Sequence, residues 1–398
     1  MLALLALTAL TISCSPQVAD TFVVSDDAEL RALATELLPD LTARSGLELK
    51  APVRLARRSR PELVAYLTRK LDQEMPAAEA RDITESYRLL GLVPEGLDLR
   101  ALLLSVYTEQ VAGFYDPDST ALFVMDDQPT ESLRTVLIHE LVHAVQDQHV
   151  DLDSLTARAR GNDRQMAAQA AIEGHATLVM IEYAASQQMG RRVDLTEIPE
   201  ISAQMRPDLE SLREQYPAVA SAPAIIQETL LFPYLEGTGW VLRLWHDAGA
   251  RPSPLSELLP QSTEQVIGEG PSLPPGRDEP TEVGLGVAGA RYSNTLGEME
   301  TGVLLRQLVG PAAATAARGW DGDRFALVDA AGGPGLVWLT VWDDGAARDL
   351  FVATLRPGLA RLPGPATLEP TDADGRPGAL LRVGTRADVT VTLSGGRP

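Results

Sequence analysis

The chain has 398 residues, 45% of them hydrophobic, which is enough to form a substantial hydrophobic core. Acidic residues number 55 and basic residues 34, so the formal net charge is −21. Because no long basic run interrupts this excess, nucleic acids and anionic membrane surfaces are poor candidates as partners.

The first fourteen residues, MLALLALTALTISC, are too short to span a bilayer and have the length of the apolar part of a secretory signal peptide. They end at Cys14, which is the only cysteine and therefore has no internal disulfide partner. Ser13-Cys14 resembles a bacterial lipobox, in which the cysteine is lipidated. The alternative is an ordinary cleaved signal peptide, because Thr11 stands where a lipobox usually has leucine. Either interpretation predicts export, as a cell-envelope lipoprotein or as a secreted or periplasmic protein.

A polar tether at residues 15–26 leads into a region of predicted helices. Helical patterns cover residues 27–46, 60–75, 76–91 and 98–110, and the alternating segment VRLARR at residues 53–58 predicts a strand. The next segment, AGFYDPDSTALFVMDD, predicts a hairpin, because two short runs rich in Phe, Tyr and Val flank the turn sequence DPDS.

The following helix is predicted to start near Thr130, whose side chain could cap it, and it contains the motif HELVH at residues 139–143. Helix positions four apart differ by about 40°, so His139 and His143 face one ion. Glu140 lies beside them, where its carboxylate can reach a water molecule without binding the metal. Two neutral imidazoles with one further N or O ligand suit zinc.

Two residues compete as the third ligand. His149 lies six positions after His143, as in the metzincin pattern HExxHxxGxxH, but Gln146 stands where that pattern has its helix-breaking glycine. If the helix continues through Gln146, His149 points away from the metal. Glu173 lies in the next predicted helix among mostly apolar residues, a poor setting for a solvated charge. We therefore favour Glu173, in a two-histidine, one-glutamate site, and keep His149 as the alternative.

Two residues close to Glu173 in the sequence are expected not to bind the ion. His175 lies about 200° further around the helix and cannot readily share the same ion. Thr177 lies one turn beyond Glu173 and could orient a ligand, although packing is the more common role of such a threonine.

The remaining elements predict packing rather than chemistry. Helices are expected at residues 207–215 and 223–248, and in the second of them Gly237 and Gly239 should permit close packing against the catalytic helices. In the segment STEQV, Ser262 or Thr263 is expected to cap a helix start. Residues 268–280 are predicted to form a surface loop, and residues 326–398 a small mixed α/β unit.

Four stretches, YDPDSTALFV, HELVHAVQDQH, EGHAT and STEQV, resemble a branch of bacterial secreted or lipoprotein-type HExxH proteins. This branch is related to the gluzincins, the thermolysin-like zinc metallopeptidases, and the resemblance covers roughly residues 90–330. It implies a zincin-like fold, with His139 and His143 as zinc ligands, Glu140 as general base and Glu173 as third ligand.

The predicted fold class is α+β, with a zincin-like, mainly helical catalytic region, a small edge-strand sheet and a small C-terminal α/β unit. The expected divisions are a signal peptide or lipobox (1–14), a tether (15–26), a mainly helical N-terminal region (27–100), the catalytic region (101–325) and the C-terminal unit (326–398).

The expected function is hydrolysis of peptide bonds by a zinc metallopeptidase, with Zn²⁺ as cofactor, Glu140 as base for the attacking water, and a peptide or protein as substrate. A non-catalytic envelope scaffold, in which zinc only ties two helices together, is a second hypothesis. Glu140 favours the enzyme, because a structural site has no use for a base. A peptidase that uses His149 and a hydrolase of another amide, such as a cell-wall peptide, are further alternatives. Four residues qualify by type alone as donors to the oxyanion: Tyr115, Tyr234, His246 and Tyr292.

The second hairpin strand is expected to be an edge strand that borders the cleft, because it directly precedes the HExxH helix. An extended peptide could then add to it through main-chain hydrogen bonds. The strand consists of Ala121, Leu122, Phe123, Val124 and Met125.

Overall fold

The structure is a computed structural model that describes residues 22–197, 216–268, 270, 273, 277–330 and 332–396. Cys14, the predicted helix at residues 207–215 and part of the predicted loop at 268–280 lie outside these ranges. Within them the fold mixes helices with three sheets of four, five and two strands. None of the helices in the described ranges is long and apolar enough to cross a membrane.

The N-terminal part confirms the predicted helices, strand and hairpin. Asp27 caps the first helix by accepting from two backbone N–H groups, and Gly46 ends it with a φ of 70°. The elements are β1 (Val23–Val24), α1 (Ala28–Ser45), β2 (Val53–Arg58), α2 (Arg60–Glu74), α3 (Ala77–Leu89), α4 (Leu99–Gln110), β3 (Gly113–Asp116) and β4 (Ala121–Met125).

The first sheet has the strand order β1-β2-β4-β3. The prediction that Ala121–Met125 forms an edge strand is wrong. β4 pairs with β3 on one side and, in parallel, with β2 on the other, from Arg54 opposite Ala121 to Arg58 opposite Met125. All five residues of β4 are accordingly buried. The edge strand on this side of the sheet is β3, Gly113–Asp116.

The central part consists of α5 (Thr130–Asp147), α6 (Leu152–Leu155), α7 (Asn162–Met189), α8 (Pro217–Ser221) and α9 (Ala224–Ala248). The predicted cap at Thr130 is wrong. Pro129 occupies the cap position and no side chain caps the first turn, because Thr130 is already helical.

Helices α7 and α9 touch through their backbones at Gly174 and Gly237. A Cβ atom on Gly174 would lie 2.1 Å from the carbonyl carbon of Gly237, and one on Gly237 would lie 2.1 Å from the carbonyl oxygen of Ala170. A side chain at either position would push the helices apart. The close packing predicted at Gly237 is therefore confirmed.

Helix α7 is anchored at both ends by buried carboxylates. Near its start, Asp163 accepts hydrogen bonds from the backbone N–H and the hydroxyl of Thr263, at 3.0 and 2.5 Å. Near its end, Glu182 accepts two hydrogen bonds of 2.7 Å from the guanidinium of Arg251. Thr263 begins α10 (Thr263–Ile267), which Ser262 caps as predicted.

The C-terminal part is a mixed α/β unit, as predicted, but it starts before residue 326. Two earlier strands, β5 (Thr281–Val287) and β6 (Ala290–Asn294), join its sheets. The remaining elements are α11 (Gly297–Leu308), β7 (Trp320–Ala330), β8 (Gly333–Trp342), α12 (Gly345–Leu355), β9 (Ala366–Ala373), β10 (Arg376–Val383) and β11 (Val389–Gly395). Strand β5 pairs with β11, and the large sheet has the order β6-β7-β8-β10-β9. The main hydrophobic core contains residues of all three parts, among them Leu37, Val142 and Trp338.

Candidate metal centre

Helices α5 and α7 direct three potential metal ligands at one point. Nε2 of His139 lies 3.1 Å from Nε2 of His143, and Oε2 of Glu173 lies 3.2 Å from the first nitrogen and 3.4 Å from the second. Ligand atoms bonded tetrahedrally to zinc at about 2.0–2.1 Å are about 3.3–3.4 Å apart. The three side chains therefore fit a zinc ion in both donor type and spacing.

The structure does not bring His149 to this group. Helix α5 continues through Gln146 to Asp147. This agrees with the prediction from the glutamine at position 146, which favours helices. The Nε2 atom of His149 instead donates to the carbonyl oxygen of Glu48 at 2.7 Å. The arrangement is that of two histidines and one glutamate.

Glu140 is buried beside the ligands and under the edge strand β3. A Cβ atom on Gly113 would lie 3.2 Å from Cγ of Glu140, so the glycine allows this close approach. Burial and the charge of Glu173 raise the pKa of Glu140, whereas the two histidines and a hydrogen bond from the backbone N–H of Tyr115 lower it; the net pKa is raised. The carboxylate is thus close to the ligands without being one of them.

The electrostatics of the cluster favour a positive charge. Burial lowers the pKa of His143, but the charge and hydrogen bond of Glu173, followed by the charge of Glu140, raise it to about 9. Burial raises the pKa of Glu173, but His143 and His139 bring it well below its ordinary value. Two carboxylates next to two imidazoles therefore stabilise a cation at this position.

Of the four residues considered as oxyanion donors, Tyr234 is the one at the site. Its ring centre lies 6.2 Å from that of His139, and its side chain is partly exposed. The charge of Glu173 is the largest cause that raises the pKa of Tyr234 well above its ordinary value. Its hydroxyl is therefore protonated, and able to donate, at neutral pH. The crossing of α7 and α9 at the two glycines places Tyr234 next to Glu173.

The other three candidates have partners elsewhere. The hydroxyl of Tyr115 donates to Asp147 at 2.8 Å. The Nδ1 atom of His246 lies 3.0 Å from the backbone carbonyl oxygen of Thr196, in a short 3-10 helix after α7. The hydroxyl of Tyr292 accepts from an amide in its own strand at 2.8 Å.

Sequence reasoning considered Gln146 and His175 but missed the hydrogen bonds that place them behind the ligands. Oε1 of Gln146 lies 2.9 Å from Nδ1 of His143, and Nε2 of Gln146 lies 3.0 Å from Nδ1 of His175. Because Gln146 follows His143 by three positions, the helical period could have identified it. The orienting role suggested for Thr177 is wrong, since its buried hydroxyl has no hydrogen-bond partner among the described residues.

A second group of carboxylates in the described residues is close enough to share an ion: Glu264, Asp278 and Asp343. Burial raises the pKa of Glu264 to about 10, and the neighbouring carboxylates add to the shift. All three donors are carboxylates, so this group lacks the imidazoles that suit the histidine cluster to zinc.

One family model matches the chain, the "Domain of unknown function (DUF8575)", over residues 284–396. The matched segment runs from within β5 to the end of the C-terminal unit. No curated protein and no solved structure matches the chain significantly. The C-terminal unit is thus similar to DUF8575, and the candidate metal centre lies outside the matched residues.

Proposed function

We propose that the chain is a zinc-dependent metallopeptidase with a zincin-like catalytic region. The observation that carries this proposal is the spacing of 3.1–3.4 Å among the ligand atoms of His139, His143 and Glu173. Structural zinc sites usually have four protein ligands, whereas the described residues provide three here. A set of three, with Glu140 beside it, is typical of a catalytic site.

Each group at the site has a role in this reaction. A bound zinc ion would act as a Lewis acid that acidifies water and polarises the scissile carbonyl. Glu140 would take the proton of the attacking water and pass it to the leaving amine, a role that suits a carboxylate of raised pKa. The hydroxyl of Tyr234 would donate to the oxygen that becomes negatively charged.

The substrate strand is proposed to bind along β3 rather than β4. β3 is the edge of its sheet, and the backbone N–H of Tyr115 points towards Glu140. An extended peptide added to this edge by main-chain hydrogen bonds would pass over Gly113 and the base beneath it.

Three substitutions test the proposal. Glu140→Gln retains size but removes the base, so we expect zinc content to be retained and turnover of a quenched peptide to fall by about 10²–10⁴-fold. Glu173→Ala removes a ligand and should severely lower zinc content. His149→Ala is the matched control, because its imidazole bonds to Glu48, and it should keep both zinc and activity.

Zinc is measured by atomic absorption beside the peptide assay, with and without a chelator. Loss of zinc in His149→Ala but not in Glu173→Ala would favour the metzincin arrangement. Full turnover in Glu140→Gln would exclude Glu140 as the base. A protein that holds zinc and cleaves no peptide in a library would support the scaffold.

A further inference from the structure

A chain of buried hydrogen bonds runs from the back of His143 to another helix. Nδ1 of His143 contacts Oε1 of Gln146 at 2.9 Å, and Nε2 of Gln146 contacts Nδ1 of His175 at 3.0 Å. Nε2 of His175 then contacts the carbonyl oxygen of Ser45, the last residue of α1, at 3.0 Å. Gln146 and His175 are fully buried, so water does not compete for these bonds.

The last acceptor determines where the protons are. A carbonyl oxygen can only accept, so Nε2 of His175 must carry a hydrogen and donate it to Ser45. The amide nitrogen of Gln146 can only donate, so Nδ1 of His175, which lies 3.0 Å from it, has no hydrogen and accepts.

The orientation of the Gln146 amide is fixed by a hydrogen bond to the backbone of α7. Its Nε2 also donates to the carbonyl oxygen of Ile172 at 3.0 Å. Both amide hydrogens are thus used on the side of α7, and Oε1 faces His143. Because Oε1 can only accept, Nδ1 of His143 must carry a hydrogen, so in the neutral ring that binds a metal the lone pair is on Nε2, which faces His139 and Glu173.

We propose that Gln146 and His175 are positioning residues that hold the tautomer and ring orientation of His143 required for binding a metal ion. The inference rests on the proposed metal centre and names the groups that prepare it. The partners of metal-binding histidines commonly have this effect. The support is specific to His143, because Nδ1 of His139 has no hydrogen-bond partner among the described residues.

The first test uses the wild-type protein and does not depend on metal binding. The chain has five histidines, so nitrogen-15 labelling of histidine and long-range proton–nitrogen correlation spectra can report each tautomer. We expect His175 to carry its hydrogen on Nε2 at neutral pH, with Nδ1 unprotonated and accepting. A hydrogen on Nδ1 of His175 would reverse the direction of the bonds and overturn the proposal.

The second test compares zinc affinity by competition with a chelator. Gln146→Leu and His175→Phe remove the hydrogen bonds while retaining bulk, and we expect affinity to fall by about 10–100-fold. His149→Phe is the matched control, an equal change to a histidine outside the chain of bonds, and should leave affinity unchanged. Circular dichroism identifies the variants that fold.

The outcomes separate this proposal from the proposed function. Wild-type affinity in folded Gln146→Leu and His175→Phe would overturn the positioning role. If the wild type binds no zinc, the metallopeptidase proposal fails, whereas the tautomer of His175 still supports or overturns the hydrogen-bond chain. If neither variant folds, the wild-type spectra decide.

Discussion

At the scale of single residues, Tyr234 is the side chain that would connect the proposed metal ligands to catalysis. Because Glu173 raises its pKa, its hydroxyl keeps its proton, and we expect it to help more in the transition state than in substrate binding. Tyr234→Phe should reduce kcat by about 10²–10³-fold, with little change in KM or zinc content. Steady-state kinetics and metal analysis measure these effects.

Tyr292→Phe is the control for this prediction, since Tyr292 bonds within its own strand. An equal loss of activity in both variants would point to general damage. A loss of zinc in Tyr234→Phe would make the tyrosine a support of the ligands instead of a donor to the substrate.

Glu300 makes the stability depend on pH. Its two carboxylate oxygens accept from the hydroxyl of Tyr87 at 2.7 and 2.9 Å, and burial raises its pKa from 4.5 to about 8. The folded state therefore holds this proton more tightly than the unfolded state. The resulting stabilisation is complete below pH 4.5 and is lost as the pH rises through about 8.

Glu300→Gln removes this titration, so its free energy of unfolding should fall less steeply than that of the wild type between about pH 5 and 8. Urea denaturation at a series of pH values checks the slope. Identical slopes in the two proteins would show that Glu300 does not titrate in this range.

At the scale of elements, the contact between α7 and α9 should tolerate no side chain. Gly174→Ala places a methyl group against the backbone of α9, so we expect a loss of about 1–3 kcal/mol or more in the free energy of unfolding. Separating the helices should also move Tyr234 away from Glu173 and lower turnover. Denaturant unfolding and the peptide assay measure both effects.

The control is Gly302→Ala in α11, where the nearest atom to the new methyl group would be 3.7 Å away. Because alanine favours helices, this change should be neutral or stabilise by up to about 1 kcal/mol. If both substitutions have the same effect, the contact between α7 and α9 is not what excludes a side chain.

Helix α5 could be predicted because its signals are local. The apolar positions lie within one helix, as do His139 and His143, four residues apart. Residues that favour helices around position 146 indicate that this helix continues beyond His143. Glu173 could be proposed because a carboxylate amid apolar neighbours requires a partner. These arguments use only contacts a few turns apart.

The remaining features depend on contacts between distant segments. The edge position predicted for the strand Ala121–Met125 is wrong because β2 pairs with its second side. Nothing in the sequence of the strand itself shows this pairing. The bond from Gln146 to His175 depends on the relative rotation of α5 and α7, and the position of Tyr234 depends on the crossing of α7 and α9. Periodicity within one element determines neither.

At the scale of the whole molecule, the C-terminal unit shares its core with the helices that carry the candidate metal ligands. The buried cluster that contains Val142 of α5 also contains Trp338 of β8. We therefore expect calorimetry to show one unfolding peak, with a calorimetric enthalpy close to the van't Hoff enthalpy. Two resolved peaks would mean that the C-terminal unit unfolds independently of the helices that carry the candidate metal ligands.

The anchoring of α7 also has a mechanical consequence. Glu173 lies ten residues from Asp163 and nine from Glu182, which is roughly 14–15 Å from each anchor at about 1.5 Å per residue. Glu173 thus lies about midway between two buried anchors, and the contact with α9 at Gly174 supports the helix beside it. If one anchor is lost, the helix can tilt about the other anchor. A tilt of only about 4° displaces the Glu173 carboxylate by about 1 Å, which is roughly half of a zinc–oxygen bond of about 2.0–2.2 Å. We therefore expect substitutions at Thr263 or Arg251 to disturb the candidate metal centre most when the contact at Gly174 is also weakened, as in Gly174→Ala.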